Sequence, residues 1–296
     1  MRLGAWVAVC LLAAQSASAQ TPGLGGFGAQ DSGKPIGIEA SQGVEWQQNN
    51  RLYIARGNAR ATRGDDSVYA DTLYAFYRAA QPQPVSTGPR KGSDPFSGGS
   101  TDIYRLEADG NVRFTTPTQT VYGDHAVYDV DQAVLVVTGK NLRMVTPRDQ
   151  VTARDALEWY DRKQMGVARG NALAVRDDRR VRGDILTTTM QKPAHGPAHI
   201  SRIDAHGNVV VSSSDQVARG DAGVYNLDTG IATLQGHVKL TRGDNELRGN
   251  YGVVDMNNHV SRLLTAPPSV RPGAAPPARV EGLLVPQRKP APPQKP

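Results

Sequence analysis

The stretch Leu106-Glu107-Ala108-Asp109-Gly110-Asn111-Val112-Arg113-Phe114 alternates without a break over nine residues. Leu106, Ala108, Gly110, Val112 and Phe114 fall on one parity, and Glu107, Asp109, Asn111 and Arg113 on the other. Successive side chains of a strand point to opposite faces, so this pattern reads as a half-buried strand of roughly 30 Å. The alternation returns at Ile203, Ala205, Gly207, Val209 and Val211, and again at Ala232, Leu234, Gly236, Val238 and Leu240. The central glycine sits on the inward parity each time. That predicts a bulge, a bend or the close approach of a facing sheet.

The glycine is also the start of a repeat. Gly57, Gly110, Gly139, Gly170, Gly207 and Gly236 are spaced by 53, 29, 31, 37 and 29 residues. A second landmark follows each: Ala70-Asp71, Gly123-Asp124, Arg154-Asp155, Gly183-Asp184, Gly220-Asp221 and Gly249-Asn250. The offset is 13 residues in five repeats and 15 in the third. The second half of each repeat reads as a further strand, with the landmark aspartate favouring a turn or bulge. Ile38 to Trp46 matches Val151 to Trp159, so an extra half repeat precedes the six. Roughly 13 antiparallel strands with almost no helix follow from this count, which points to a sandwich, jelly roll or solenoid. Stacked copies of a unit that cannot bury its own apolar face suit a long binding surface better than a single active site.

Outside the repeats, composition sets the boundaries. Arg2, the short apolar run Leu3 to Ala14 and Ala17-Ser18-Ala19 read as a cleavable signal peptide over residues 1–19. Cys10, the only cysteine, lies within it, so the exported chain is expected to carry no thiol and to reside in a periplasm. Residues 20–35 read as a flexible, Gly-rich lead-in. Residues 79–100 hold four Pro, four Gly and four Ser and read as a mobile loop, which accounts for the long first spacing. The repeat domain occupies 36–264. Residues 265–296 read as a disordered basic tail, because from Ala266 onward ten of 31 residues are proline. The net charge of +6 is mild and scattered. It suits anionic partners such as phosphorylated lipids without selecting them.

The short motifs dissolve in context. Gly23-Leu24-Gly25-Gly26-Phe27-Gly28 has no strand before it or helix after it, and Pro35 replaces the Ser/Thr that a phosphate loop needs after Lys34. Arg-Gly-Asp at 63–65, 182–184, 219–221 and 242–244 is a recurring turn position in at least two cases. His195 and His199 lack a nearby carboxylate or cysteine in sequence, so a solvated loop is favoured over a metal site. No catalytic triad order or paired catalytic carboxylates stand out, and no cofactor, metal or nucleic-acid partner is expected. Tyr128, Trp159 and Tyr225 each lie four residues after a landmark aspartate, which suits core packing or a groove rim.

With these features assembled, the chain resembles the LptA/OstA-like family of periplasmic lipopolysaccharide-transport proteins. The likeness rests on Tyr53-Ile54-Ala55-Arg56-Gly57-Asn58-Ala59-Arg60-Ala61-Thr62-Arg63-Gly64-Asp65, continuing through Val68 to Leu73. Val121-Tyr122-Gly123-Asp124-His125-Ala126-Val127-Tyr128 with Val136 to Gly139 is the next match. The resemblance implies a non-enzymatic, twisted open β-jelly roll with a lengthwise apolar groove for lipid A. It also implies head-to-tail stacking, and a bridge to inner- and outer-membrane components of the export machinery. The groove lining expected on parity is Leu106, Val112, Phe114, Ile203, Val209, Val211, Leu234, Val238 and Leu240. The rival reading is a polymerising β-solenoid scaffold whose interior is filled by side chains. An enzymatic solenoid would need acidic residues clustered on one exposed strand face, and none is apparent. The repeat alone leaves groove and packed core open; the resemblance favours the groove.

Overall fold

The computed structural model describes residues 36–79, 101–191, 199–266 and 279–284. The signal peptide, the lead-in, nearly all of the 79–100 loop, His195 and most of the proline-rich tail lie outside the described residues. The strands are β1 (Gly37–Glu39), β2 (Gly43–Gln47), β3 (Leu52–Arg63), β4 (Asp66–Ala79), β5 (Thr101–Thr115), β6 (Thr120–Asp129), β7 (Val134–Thr138), β8 (Arg143–Val145) and β9 (Asp149–Thr152). They continue with β10 (Ala156–Tyr160), β11 (Met165–Arg176), β12 (Arg179–Gln191), β13 (His199–Ser212), β14 (Val217–Asn226), β15 (Ile231–Arg242), β16 (Asn245–Asp255), β17 (Val260–Leu264) and β18 (Glu281–Leu283). All belong to one antiparallel sheet, in which most strands pair with their neighbours in the chain, while β1 pairs with β3, β6 with β8, β7 with β10, β9 with β11 and β16 with β18. The fold is a twisted β-jelly roll, and a single 3-10 turn at Asp161–Lys163 is the only helical element among the described residues.

The sequence count of about 13 strands and the observed 18 differ for a simple reason. Three strand positions are each cut in two: β1 with β2, β7 with β8, and β9 with β10. At the cut in β9–β10, Arg154 and Asp155 donate their backbone N–H groups to the carbonyls of Gly170 and Arg169, so the pairing continues through an irregular corner. Ser41 and Gln42 do the same toward Gly57 and Arg56. Joining the halves returns the expected strands up to β16. Beyond it, β17 and β18 share one further edge position. β18 falls inside the stretch whose composition reads as disordered; Val280 to Val285 is a proline-free island there.

The period glycines make the sheet bend. In β5 the register with β6 slips between Asp109 and Val112, so Gly110 and Asn111 together oppose one residue. Both are left-handed, with φ of 77° and 50°, a bulge geometry that glycine and asparagine tolerate. Equivalent slips occur at Arg56/Ala59, Arg169/Ala172, His206/Val209 and Gln235/Val238. The glycine therefore does not face the interior, as simple parity suggests. A Cβ on Gly110 would overlap the carboxylate of exposed Asp71 on the neighbouring strand. The inward glycine is the second landmark: Gly123 lies opposite Val112, and a Cβ there would run into Val137. Landmark aspartates are thus the outer struts of the bend. Asp71 accepts a hydrogen bond from Asn111 Nδ2 at 2.9 Å and Asp184 one from Asn208 Nδ2 at 2.9 Å, while Asp221 meets His237 Nδ1 at 2.7 Å.

Because every long strand bends at the same place, the inner faces on both sides of the bend share one interior. Ala108 before the bulge and Val112 and Phe114 after it belong to one buried cluster that runs from Ala70 to Met256. Among the described residues, two edges of the sheet have no further strand on them. β1 and β2 pair only with β3, and β17 and β18 only with β16. Val44, Trp46, Val260 and Leu283 lie exposed on these edges.

Candidate apolar groove

The interior is not filled evenly. In the N-terminal half it leaves an apolar groove, open to solvent, with a cavity volume of about 80 Å³. Ile38 and Val44 of the free edge, Leu73 of β4, Leu106 and Phe114 of β5, and Val137 of β7 are among its walls. A second, smaller space of about 30 Å³ adjoins it, bounded by Val151, Leu157, Trp159 and Met190. The two share Leu135 and Val137 as walls, so together they run from the free edge at β1–β2 to β12.

Of the residues expected to line a groove, Leu106, Val112 and Phe114 stand on its wall. Ile203, Val209, Val211, Leu234, Val238 and Leu240 also point inward, but each is at most 7% exposed and borders neither space. Leu234 occupies the position that Val137 holds three repeats earlier, and it packs where a Cβ on Gly220 or Gly223 would stand 3.3–3.6 Å from its side chain. Ala126 occupies the place of Gly223 in the earlier repeat. Sequence reading missed Ile38, Val44, Leu73, Leu135 and Val137. The match of Ile38–Trp46 to Val151–Trp159 was the available signal, since it places the half repeat on the same wall.

Few polar groups face this space. Tyr128 is 6% exposed, and its hydroxyl has no hydrogen-bond partner among the described residues. Burial pushes its pKa up to about 12, so it stays a neutral donor. Its counterpart Tyr225 instead accepts a hydrogen bond from Arg179 Nη1 at 3.2 Å. At the free edge, Trp46 stacks on Tyr53 with ring centroids 5.7 Å apart and donates Nε1–H to Tyr77 Oη at 2.8 Å. This aromatic group forms a rim. The arginines nearby are directed outward: Arg113 lies over the Tyr69 ring at 4.2 Å and Arg143 over Tyr122 at 4.0 Å. His199 Nε2 lies 2.8 Å from Asp228 Oδ1, and no group of three or more potential metal ligands occurs among the described residues.

A bent antiparallel meander around an apolar groove is the setting in which the family comparison is decisive. The model of the LptA/(LptD N-terminal domain) LPS transport proteins matches this chain twice, over residues 37–156 and 150–260. The chain belongs to this lipopolysaccharide-transport family. Members of the LptA/LptD N-terminal family are transport proteins, not enzymes. Among solved structures, the chain is similar to LptH of Pseudomonas aeruginosa, described as the LptA-homologous periplasmic component of the lipopolysaccharide transport device. The identity is 19% and the TM-score 0.40, over 47% of this chain and 95% of that one. None of the curated proteins matches. The two family segments meet at β9–β10, the strand pair that bounds the second space.

Proposed function

We propose that this chain carries lipopolysaccharide across the periplasm, shielding lipid A acyl chains in the groove between β1–β2 and β12. It acts as a link in a head-to-tail stack that joins inner- and outer-membrane components of the export machinery. The observation that carries this reading is an apolar groove that opens at a free sheet edge. An acyl chain in water costs about 0.8 kcal/mol per exposed CH₂, so a twelve-carbon chain costs on the order of 9 kcal/mol. The groove removes that barrier. It supplies little net drive, because the membrane solvates the chain equally well, so directionality comes from elsewhere in the machinery. The neutral Tyr128 hydroxyl offers the lipid's ester or hydroxyl oxygens one buried donor.

The test is site-specific photocrosslinking in cells, combined with lipopolysaccharide titration of the purified chain. Crosslinkers at Leu106 and Phe114 capture lipopolysaccharide, outward Arg113 does not, and binding saturates. Capture at Arg113 equal to that at Phe114, or no saturable binding, removes the groove as the carrier.

A further inference from the structure

Arginines that stand far apart in the sequence fall into one line across the sheet. On the outer side of the wall that carries Val112 and Phe114, Arg60 pairs with Tyr69, Tyr69 with Arg113, Arg113 with Tyr122 and Tyr122 with Arg143. Thr152 and Leu173 carry the row on to Arg182, and Val210 carries it to Arg219. Lys239 and Arg248 complete it. Carboxylates enter the row only at its two ends, where Glu39 pairs with Arg60 and Glu281 with Arg248. Arg113, Arg182, Arg219 and Arg248 are exposed, and Arg60, Arg143 and Lys239 are half-buried. Strands lie about 4.8 Å apart, so the row crosses the whole sheet over roughly 60 Å.

The matching outer row on the opposite wall has the reverse composition. It runs from Glu45 through Glu107, Glu158 and Asp204 to Arg262, with β-branched residues such as Val136 and Val167 between them. Each of its carboxylates has an arginine partner: Arg56, Arg105, Arg169 and Arg202 in turn. On the basic row the first arginines rest on rings instead. Tyr69 carries Arg60 at 5.4 Å and Arg113 at 4.2 Å, and Tyr122 carries Arg143 at 4.0 Å. A guanidinium held over a ring keeps its N–H donors for a further acceptor. The crease aspartates two residues away on the same face are engaged elsewhere: Asp71 with Asn111, Asp124 with the Lys140 backbone, Asp184 with Asn208 and Asp221 with His237. Glu246 holds Lys239 and Arg248. Arg113, Arg143, Arg182 and Arg219 are left without a carboxylate partner among the described residues.

We infer that this row is a binding track for a linear anionic polysaccharide carrying one carboxylate per disaccharide. Neighbouring strands of a twisted sheet rotate by about 20–25°, so the whole row winds through about three-quarters of a turn. A flat bilayer touches only part of such a path, whereas a linear chain follows it. Arg60, Arg113 and Arg143 stand on every second strand position, as do Arg182, Arg219 and Arg248. Successive guanidiniums in each set are therefore about 10 Å apart. A nucleic-acid strand carries a charge about every 3.4 Å, far denser than the row. One acid per disaccharide gives the sparser spacing that the row presents. On its rim side, Thr62, Ser67, Thr115 and Thr120 form a parallel line of hydroxyls, which can both donate to and accept from sugar hydroxyls. The track lies on the outer face, so it stands independently of the groove and its cargo.

The experiment is fluorescence anisotropy of a labelled hyaluronan oligosaccharide, which has one carboxylate per disaccharide, titrated with the purified full chain. Neutral dextran and phosphatidylglycerol vesicles are the competitors. Two triple variants remove the same charge from opposite outer walls: Arg113→Gln, Arg143→Gln and Arg219→Gln on the row, and Arg56→Gln, Arg105→Gln and Arg202→Gln away from it. Exposed ionic contacts are worth about two- to threefold each, so the row variant should bind about tenfold more weakly. The other triple should stay within about twofold of the parent. Exposed Arg219→Gln alone should weaken binding about twofold, which keeps the test decisive if the row triple does not fold. Lipopolysaccharide capture at Phe114 should persist in the row variant. Equal losses in the two triples, or no binding above that of dextran, overturn the track. Displacement of the oligosaccharide by the vesicles assigns the row to a membrane surface and overturns the polysaccharide. Loss of lipopolysaccharide capture together with hyaluronan binding overturns a site separate from the groove.

Discussion

Replacing Gly207 by alanine tests the bend itself. Gly207 has φ +73°, and its neighbour Asn208 is left-handed too at 49°. A left-handed alanine costs about 1–2 kcal/mol. Its Cβ would also overlap the Asp184 carboxylate, displacing the acceptor that Asn208 holds at 2.9 Å. That hydrogen bond is worth about 1 kcal/mol, so Gly207→Ala should destabilise by about 2–3 kcal/mol. The structure provides an internal control. Gly243 has φ +56° with nothing within 4 Å of its would-be Cβ, so Gly243→Ala carries the backbone strain alone. In the Asp184→Ala background, Gly207→Ala should fall toward the Gly243→Ala value, short of it by the contact with the remaining Cβ of residue 184 at 3.0 Å. Urea unfolding followed by far-UV circular dichroism reads the parent and all four variants. Equal costs for Gly207→Ala and Gly243→Ala in the parent would show that the aspartate strut does not contribute and that the bend is set otherwise.

Three further outcomes are expected. Leu234→Ala, in the sealed half, should cost about 2–5 kcal/mol without changing lipopolysaccharide capture; half-buried Leu106→Ala should show the reverse ordering in unfolding and lipid-titration assays. Tyr128→Phe should leave the empty protein as stable or about 1 kcal/mol more stable, since it removes an unpaired buried hydroxyl, while weakening lipid binding; a clear fall in melting temperature would reveal a partner for the hydroxyl. Burial raises the Glu158 pKa, but hydrogen bonds from Arg169 and Tyr160 outweigh it, and the net value is lowered below 4.5. A depressed carboxylate stabilises fully above its unfolded pKa and loses that contribution as pH falls through the folded value. The stability gap between the parent and Glu158→Gln should therefore be constant well above the ordinary carboxylate pKa and close as pH falls through the lower folded value; a gap unchanged at low pH would mean that the carboxylate charge is not what stabilises the pair.

Much of the fold was legible because one signal, period-two alternation, recurs in register with a marked glycine. The strand identities and the half repeat at Ile38–Trp46 follow directly from it. What the alternation could not convey is that Gly110 and Asn111 count as a single residue in the ladder. Two left-handed residues reverse the local direction, so parity assigns Gly110 to the interior when the aspartate of the next strand occupies its flank. The uneven filling of the interior was equally hidden. Val137 and Leu234 both read as inward apolar residues, yet only Val137 borders open space. The open edges were not visible for a different reason: Trp46 and Trp159 carry the same local sequence signal, and their exposure depends on whether a strand follows in space.

The line of left-handed pairs behaves as a crease held from outside. Its geometry is fixed by backbone conformation and by carboxylate struts on the solvent side, such as Asp71, Asp184 and Asp221. Nothing inside the groove is needed to keep the two walls apart. The aperture is therefore independent of its contents. On the function proposed above, a cargo of variable chain length would enter and leave without the sheet closing behind it.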